Sequence, residues 1–284
     1  MEIKVSNRTG FCSGVSKAYD QVKNLLQKNS EEIYIYGELV HNNDVIAEIT
    51  ENGAITLRYL EDIPKDSQTK TVVIRAHGIT KFEKDVLKNK FFSVIDMTCP
   101  IVKNLINYIK KKQEEGYYTV VYGKKEHPEI QGVIGNIDEK NVLVTLSALK
   151  IDNKKVLFVA QTTAEEEEYK KFVVEMININ KFSEVLIKNT ICPETILREK
   201  ETEKLSNECD VMLVLGGKHS SNTNKLFNIA KKYCKRSFHI ENVEELKNIY
   251  LSAYDKIGIV TGSSTPDKDL HEVLDYLKNN YRTF

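Results

Sequence analysis

With 284 residues, the chain exceeds the length at which one hydrophobic core usually stops growing, so two or more domains are expected. Its 41 lysines and arginines are matched by 41 acids, which excludes the strong field of a nucleic-acid or membrane-surface protein, and no run nears the roughly 18 apolar residues of a membrane span. The start Met1-Glu2-Ile3-Lys4-Val5 lacks the apolar stretch of a signal peptide. Five widely spaced cysteines without a CxxC argue against a disulfide framework, so a soluble cytoplasmic protein with reduced, working thiols is expected.

The first apolar run, Ile3-Lys4-Val5, leads to Cys12, and Val15, Ala18, Val22 and Leu25 after it have helical spacing. A buried-strand pattern, Ile33-Tyr34-Ile35-Tyr36, ends at Gly37 and passes into the polar loop Leu39-Val40-His41-Asn42. A second strand, Val72-Val73-Ile74, ends in Arg75-Ala76-His77-Gly78. The same order then recurs. Phe92-Ser93-Val94-Ile95 precedes Cys99, and Ile101, Leu105, Ile106 and Ile109 continue helically. Thr119-Val120-Val121-Tyr122 ends at Gly123 before Glu126-His127-Pro128-Glu129, and Val156-Leu157-Phe158-Val159-Ala160 ends in Gln161-Thr162-Thr163. In the third copy Val185-Leu186-Ile187 precedes Cys192, and Ile196, Lys200 and Leu205 carry a weaker helical pattern. Met212-Leu213-Val214-Leu215 ends at Gly216 before His219-Ser220-Ser221-Asn222, and Ile257-Gly258-Ile259-Val260 ends in Thr261-Gly262-Ser263-Ser264. A last helix is marked by Leu270, Val273, Leu274 and Leu277.

The strand-ending glycines follow their cysteines by 25, 24 and 24 residues, so the chain reads as one unit repeated three times. The units predicted are 13–98, 99–191 and 192–284, the last completed by the N-terminal strand within 1–12. Strands alternating with helices predict an α/β fold of three pseudo-equivalent units with mostly parallel sheets, arranged as a three-fold ring. Ligands of such sheets sit outside the carboxyl ends of the strands, where the nine named loops fall, so a central cavity is expected.

Three cysteines at equivalent strand-to-helix turns face helix N-termini, which favour thiolates. They could hold a structural zinc with a fourth ligand, or an iron–sulfur cluster with one iron left open. Cys209 and Cys234 lie outside the repeated position, and Cys234 reads as a small core residue. His41, His77, Ser220, Ser221, Asn222 and Ser264 form a second set, hydrogen-bonding groups beside glycines and helix starts that suit a phosphate or diphosphate. His127, Glu129 and Thr162 form a third, in which a buried Glu129 near an anionic substrate could act as a proton donor. His239 and His271 read as ordinary residues, and Glu165 to Glu168 as a solvated helix start.

The stretches Gly10-Phe11-Cys12-Ser13-Gly14-Val15, Gly37-Glu38-Leu39-Val40-His41-Asn42, Arg75-Ala76-His77-Gly78, Thr98-Cys99-Pro100, Glu126-His127-Pro128-Glu129, Gln161-Thr162-Thr163, Ser220-Ser221-Asn222-Thr223 and Gly262-Ser263-Ser264-Thr265-Pro266 resemble the 4-hydroxy-3-methylbut-2-enyl diphosphate reductases along the whole chain. The resemblance implies the last step of the non-mevalonate isoprenoid pathway, a two-electron reductive dehydroxylation giving isopentenyl and dimethylallyl diphosphates. It implies a [4Fe-4S] cluster on Cys12, Cys99 and Cys192 whose open iron takes the substrate's hydroxyl oxygen. Diphosphate contacts fall on His41, His77, Ser220, Ser221, Asn222 and Ser264. Glu129 falls on the proton source, with Thr162 and His127 holding the hydroxyl and the proton relay. A ferredoxin or flavodoxin is the implied electron donor.

Five positions depart from the family pattern: Lys17 for arginine, Met97 for alanine, Pro193-Glu194 for a small residue and alanine, and Glu199 for glutamine. A carboxylate at 194 beside an anionic cluster would lower its potential. Two other readings share the residues. An iron–sulfur dehydratase would turn over without reductant, and a cluster- or zinc-based sensor of a phosphorylated metabolite would not need Glu129 and Thr162.

Overall fold

The computed structural model describes residues 1–28, 32–40 and 42–281. In chain order the elements are β1 (Glu2–Val5), α1 (Ser13–Lys28), β2 (Ile33–Tyr36), α2 (Asn43–Glu51), β3 (Ala54–Leu57), β4 (Thr71–Ile74), α3 (Lys81–Lys90) and β5 (Ser93–Asp96). There follow α4 (Pro100–Glu114), β6 (Tyr118–Tyr122), α5 (Pro128–Ile134), β7 (Val142–Thr145), β8 (Lys155–Ala160), α6 (Glu166–Ile179) and β9 (Glu184–Ile187). The last are α7 (Pro193–Glu208), β10 (Val211–Leu215), α8 (Ser221–Tyr233), β11 (Ser237–Ile240), α9 (Val243–Leu246), β12 (Lys256–Thr261) and α10 (Asp267–Asn280).

Three four-stranded parallel sheets result, as the α/β repeat predicts, in the orders β3-β2-β4-β5, β7-β6-β8-β9 and β11-β10-β12-β1. Each cysteine follows an edge strand, and the edge pairings repeat: Asp96 opposite Ile74, Ile187 opposite Phe158 and Val5 opposite Ile259. Three strands, β3, β7 and β11, were not expected. Each is a four-residue strand on the other edge of its sheet, only partly buried, so it lacks the apolar run that marks its neighbours.

Contacts divide the chain into two compact bodies. One comprises Met1–Ser16, Val40–Glu51 and Pro193–Phe284 and holds the sheet ending in β1. Its central strand alternates: Val211, Leu213 and Leu215 pack with Ile257, Ile259, Leu270, Val273 and Leu277, while Met212 and Val214 pack with Leu226, Ala230 and Val260. The sheet is thus covered on both faces, as parallel sheets require. The other body comprises Lys17–Leu39 and Asn52–Cys192 and holds the two remaining sheets. Val120, Val156, Leu157, Phe158 and Val159 are wholly buried there. Among the described residues no helix is long and apolar enough to cross a membrane.

Candidate active site

Each of the three repeated cysteines donates its backbone N–H to a carbonyl in the loop beyond the neighbouring strand: Cys12 to Ser263 at 3.0 Å, Cys99 to Ala76 at 2.9 Å and Cys192 to Thr162 at 2.8 Å. The edge strand and its partner therefore run on together past the sheet and bring each thiol beside a loop that the sequence marked. Each cysteine also starts a helix. The carbonyls of Cys12 and Cys99 accept the amides of Ser16 and Lys103, and Pro100 and Pro193 open α4 and α7, where a missing N–H costs nothing. All three thiols are half-buried. Thiols at helix starts have the chemistry that a thiophilic metal centre needs. Among the described residues no three His, Cys, Asp or Glu side chains gather closely enough to hold a single metal ion. Cys234, by contrast, is buried in the core, its Sγ 3.4 Å from the Asp210 carbonyl.

The acid set lies in the second body. Glu129, in the first turn of α5, is only 3 % exposed. Thr162 grips it twice, N–H to Oε1 at 2.8 Å and hydroxyl to Oε2. Burial pushes the Glu129 carboxyl above its ordinary range, while the two Thr162 bonds pull the other way. His127 caps α5, its Nδ1 accepting the Glu129 N–H at 3.2 Å, so the neutral ring carries its proton on Nε2. The ring of His77 meets that of His127 edge-on at 5.8 Å.

Two residues with no mark in the sequence make this approach possible. A Cβ at Gly132 would lie 3.2 Å from the Gly78 carbonyl carbon and 3.3 Å from the His77 oxygen, so α5 rests directly on the backbone that carries His77. One turn on, the Asn136 carboxamide donates to the carbonyls of Ile79 and Gly132, both at 2.7 Å. The only available signal was their closeness in sequence to Glu129, Gly132 within α5 and Asn136 just past its end.

Ser220, Ser221, Asn222 and Ser264 lie in the first body, at the carboxyl ends of the adjacent strands β10 and β12. Ser220 caps α8, its Oγ accepting the Thr223 amide at 3.3 Å. Asn222 is 3 % exposed, and among the described residues neither polar atom of its carboxamide has a partner. A buried unpaired carboxamide is costly, and its donor and acceptor are available to a ligand. The loop bearing Ser264 is drawn close: a Cβ at Gly262 would stand 2.1 Å from Thr223 Oγ1, and Thr265 donates its hydroxyl to the Leu215 carbonyl at 3.1 Å. His77 of the same predicted set lies in the second body, and His41 falls outside the described residues.

Two of the departing residues have partners. Glu194 accepts from Arg198 Nε at 2.9 Å and from Arg8 Nη1 at 2.8 Å, so it is no isolated charge. Glu199 pairs with Lys225 of α8 at 2.6 Å.

Residues 3–278 match the LytB protein family. A 4-hydroxy-3-methylbut-2-enyl diphosphate reductase of Petrotoga mobilis is 61 % identical over 285 residues, covering all of both chains. The enzyme of that name from Thermotoga maritima is 40 % identical over 98 % of this chain and 96 % of its own. Among solved structures, the E-1-hydroxy-2-methyl-but-2-enyl-4-diphosphate reductase of Plasmodium falciparum superposes with a TM-score of 0.86 at 27 % identity, over 98 % of this chain and 88 % of that one. A second, (E)-4-hydroxy-3-methyl-but-2-enyl diphosphate reductase, described as the terminal enzyme of the non-mevalonate pathway, gives 0.71 at 32 % identity over 98 % and 100 %.

Proposed function

The chain belongs to the LytB protein family, and from that membership we propose that it reduces 4-hydroxy-3-methylbut-2-enyl diphosphate to isopentenyl and dimethylallyl diphosphates. The overall change expels the hydroxyl as water while two electrons and two protons enter. Cys12, Cys99 and Cys192 would hold a [4Fe-4S] cluster, which supplies the electrons delivered by a ferredoxin- or flavodoxin-like donor. Each of these cysteines follows the edge strand of a different sheet, which supports a reading in which the three thiolates mark the seams between units 13–98, 99–191 and 192–284, the last with 1–12.

One residue carries the proposal. Thr162 holds Glu129 with its N–H and hydroxyl and receives the Cys192 N–H on its carbonyl, so the proposed proton donor and the Cys192 backbone hang on one residue. A carboxyl raised by burial can stay protonated until an oxygen leaving as water needs the proton. His127, with its Nε2 proton, can donate to the same oxygen or return a proton to Glu129. His77, Ser220, Ser221, Asn222 and Ser264, with His41, would bind the diphosphate; the unpaired Asn222 carboxamide supports that role.

The test is anaerobic reconstitution followed by assay with and without a low-potential reductant. Reductant-dependent loss of the alcohol with iron and sulfide bound supports the reading. Turnover without reductant would move it to the dehydratase, and diphosphate binding without turnover to the sensor. Glu129→Gln should keep the iron and lower kcat by about 10² or more.

A further inference from the structure

Arg198 is 2 % exposed, which is rare for arginine unless every donor is used. Nε meets Glu194 at 2.9 Å; Nη1 donates to the Thr261 carbonyl at 2.8 Å and its hydroxyl at 3.2 Å; Nη2 donates to the carbonyls of Gly10 at 2.9 Å and Thr9 at 3.3 Å. Arg198 thus ties together two loops, one leading to Cys12 and the other to Ser263 and Ser264. Two further bonds join the same loops: Gly10 N–H to Thr261 Oγ1 at 3.0 Å and Cys12 N–H to the Ser263 carbonyl at 3.0 Å.

The grip extends along one face of α7. Glu194, Arg198 and Glu201 stand four and three residues apart, spacing that aligns side chains on a helix. Glu194 takes Arg8 Nη1, while Glu201 Oε2 accepts the Ser6 hydroxyl and the Arg8 N–H at 3.3 Å. All of these residues lie within the first body.

We propose that Arg198, set by Glu194, is a positioning residue that fixes the Cys12 loop against the Ser263–Ser264 loop. A planar guanidinium with its donors in fixed directions can hold three carbonyls at once, which a lysine ammonium at the end of a flexible stem cannot. Glu194 then serves as an anchor for two arginines and not as a lone charge tuning a potential. The part of this proposal that concerns a metal ligand rests on the iron–sulfur reading; the loop clamp itself does not.

Hydrogen exchange of the metal-free chain, resolved at Gly10 and Cys12, tests the clamp, with the Thr98 and Cys99 amides as an internal reference. Arg198→Lys should speed exchange at Gly10 and Cys12 about tenfold or more, leaving the reference unchanged, because several bonds to a charged group are lost together. Glu194→Ala, which leaves the carbonyl contacts in place, should speed it about two- to fivefold and decides the matter should the lysine variant not fold. After anaerobic reconstitution, the lysine variant should lose iron to a chelator several times faster than the wild type. Unchanged exchange at Gly10 and Cys12, or equal acceleration at the reference amides, would overturn the clamp. A wild-type chain that takes up no iron would sink the cluster reading, while the exchange rates at Gly10 and Cys12 would still decide whether Arg198 clamps the loops.

Discussion

Thr162 and Glu129 are joined at both carboxylate oxygens, and no cation among the named partners shares that carboxylate. Its proton affinity is therefore a balance between burial, which raises it, and two neutral donors, which lower it. Thr162→Val keeps the backbone bond and the shape but deletes the hydroxyl. A hydrogen bond to a charged acceptor favours the ionised form, so losing the hydroxyl should raise the Glu129 pKa further. Because the acid acts protonated, activity is lost as pH climbs through its pKa, and the alkaline limb of the kcat profile should move upward. An unmoved or lowered limb in the valine variant would remove Glu129 from the role of acid. The rate at the optimum should fall as well, since the missing hydroxyl also orients the Glu129 carboxyl in the proposed mechanism.

Gly132 sets how closely α5 approaches the His77 backbone. An alanine there places its methyl carbon 3.2–3.3 Å from Gly78 and His77, tight enough to push the helix by a few tenths of an ångström. Overpacking of this kind costs about 1–2 kcal/mol, and the shift would separate His77 from His127. Gly132→Ala should lower the unfolding midpoint by a few degrees and cut kcat by about tenfold, read by thermal unfolding and by steady-state assay. Full activity with unchanged stability would show that the contact relaxes without consequence.

Much of the fold, and the loops that carry the candidate site, were legible because the unit is repeated: a buried strand, a cysteine and a helix in the same order make weak local signals reinforce one another. What stayed hidden has particular causes. Strands β3, β7 and β11 are short, half-exposed edges with little apolar pattern. Helix α7 looked weak because its buried face is polar: Thr195, Arg198, Thr202 and Ser206 are buried beside Leu205. Thr202 and Ser206 return their hydroxyls to carbonyls one turn back, at 2.8 and 2.6 Å, so their polarity is satisfied within the helix. Gly132 and Asn136 owe their roles to a loop more than 50 residues earlier, a relationship that a single sequence cannot display.

The cysteines divide into two kinds, and iron content should separate them. Cys12, Cys99 and Cys192 share one backbone arrangement at helix starts, while burial pushes the Cys209 thiol up and Cys234 fills the core. Serine at 12, 99 or 192 should each reduce iron per chain after anaerobic reconstitution to a small fraction of the wild-type value. Cys209→Ser should leave it unchanged. Iron loss from Cys209→Ser, or full retention in any of the three others, would contradict the assignment.

Asp269 in α10 offers a test of the first body by pH. It is 8 % exposed, and burial, followed by the charges of Asp44 and Glu272, lifts its pKa from 3.8 to about 6 against a hydrogen bond from Asn42. A carboxyl with a raised folded-state pKa stabilises the fold fully below the unfolded value. That contribution declines as pH rises from about 4 and is lost above about 6. Asp269→Asn abolishes the titration while keeping the shape, and its amide can donate toward the neighbouring carboxylates. Measured by urea unfolding, the variant should match the wild type near pH 4 and exceed it by about 1–2 kcal/mol at pH 7.5, roughly half of the full shift because water reaches the group. A stability difference independent of pH would mean that Asp269 is ionised in the folded chain throughout, with Asn42 alone sufficient to hold its charge.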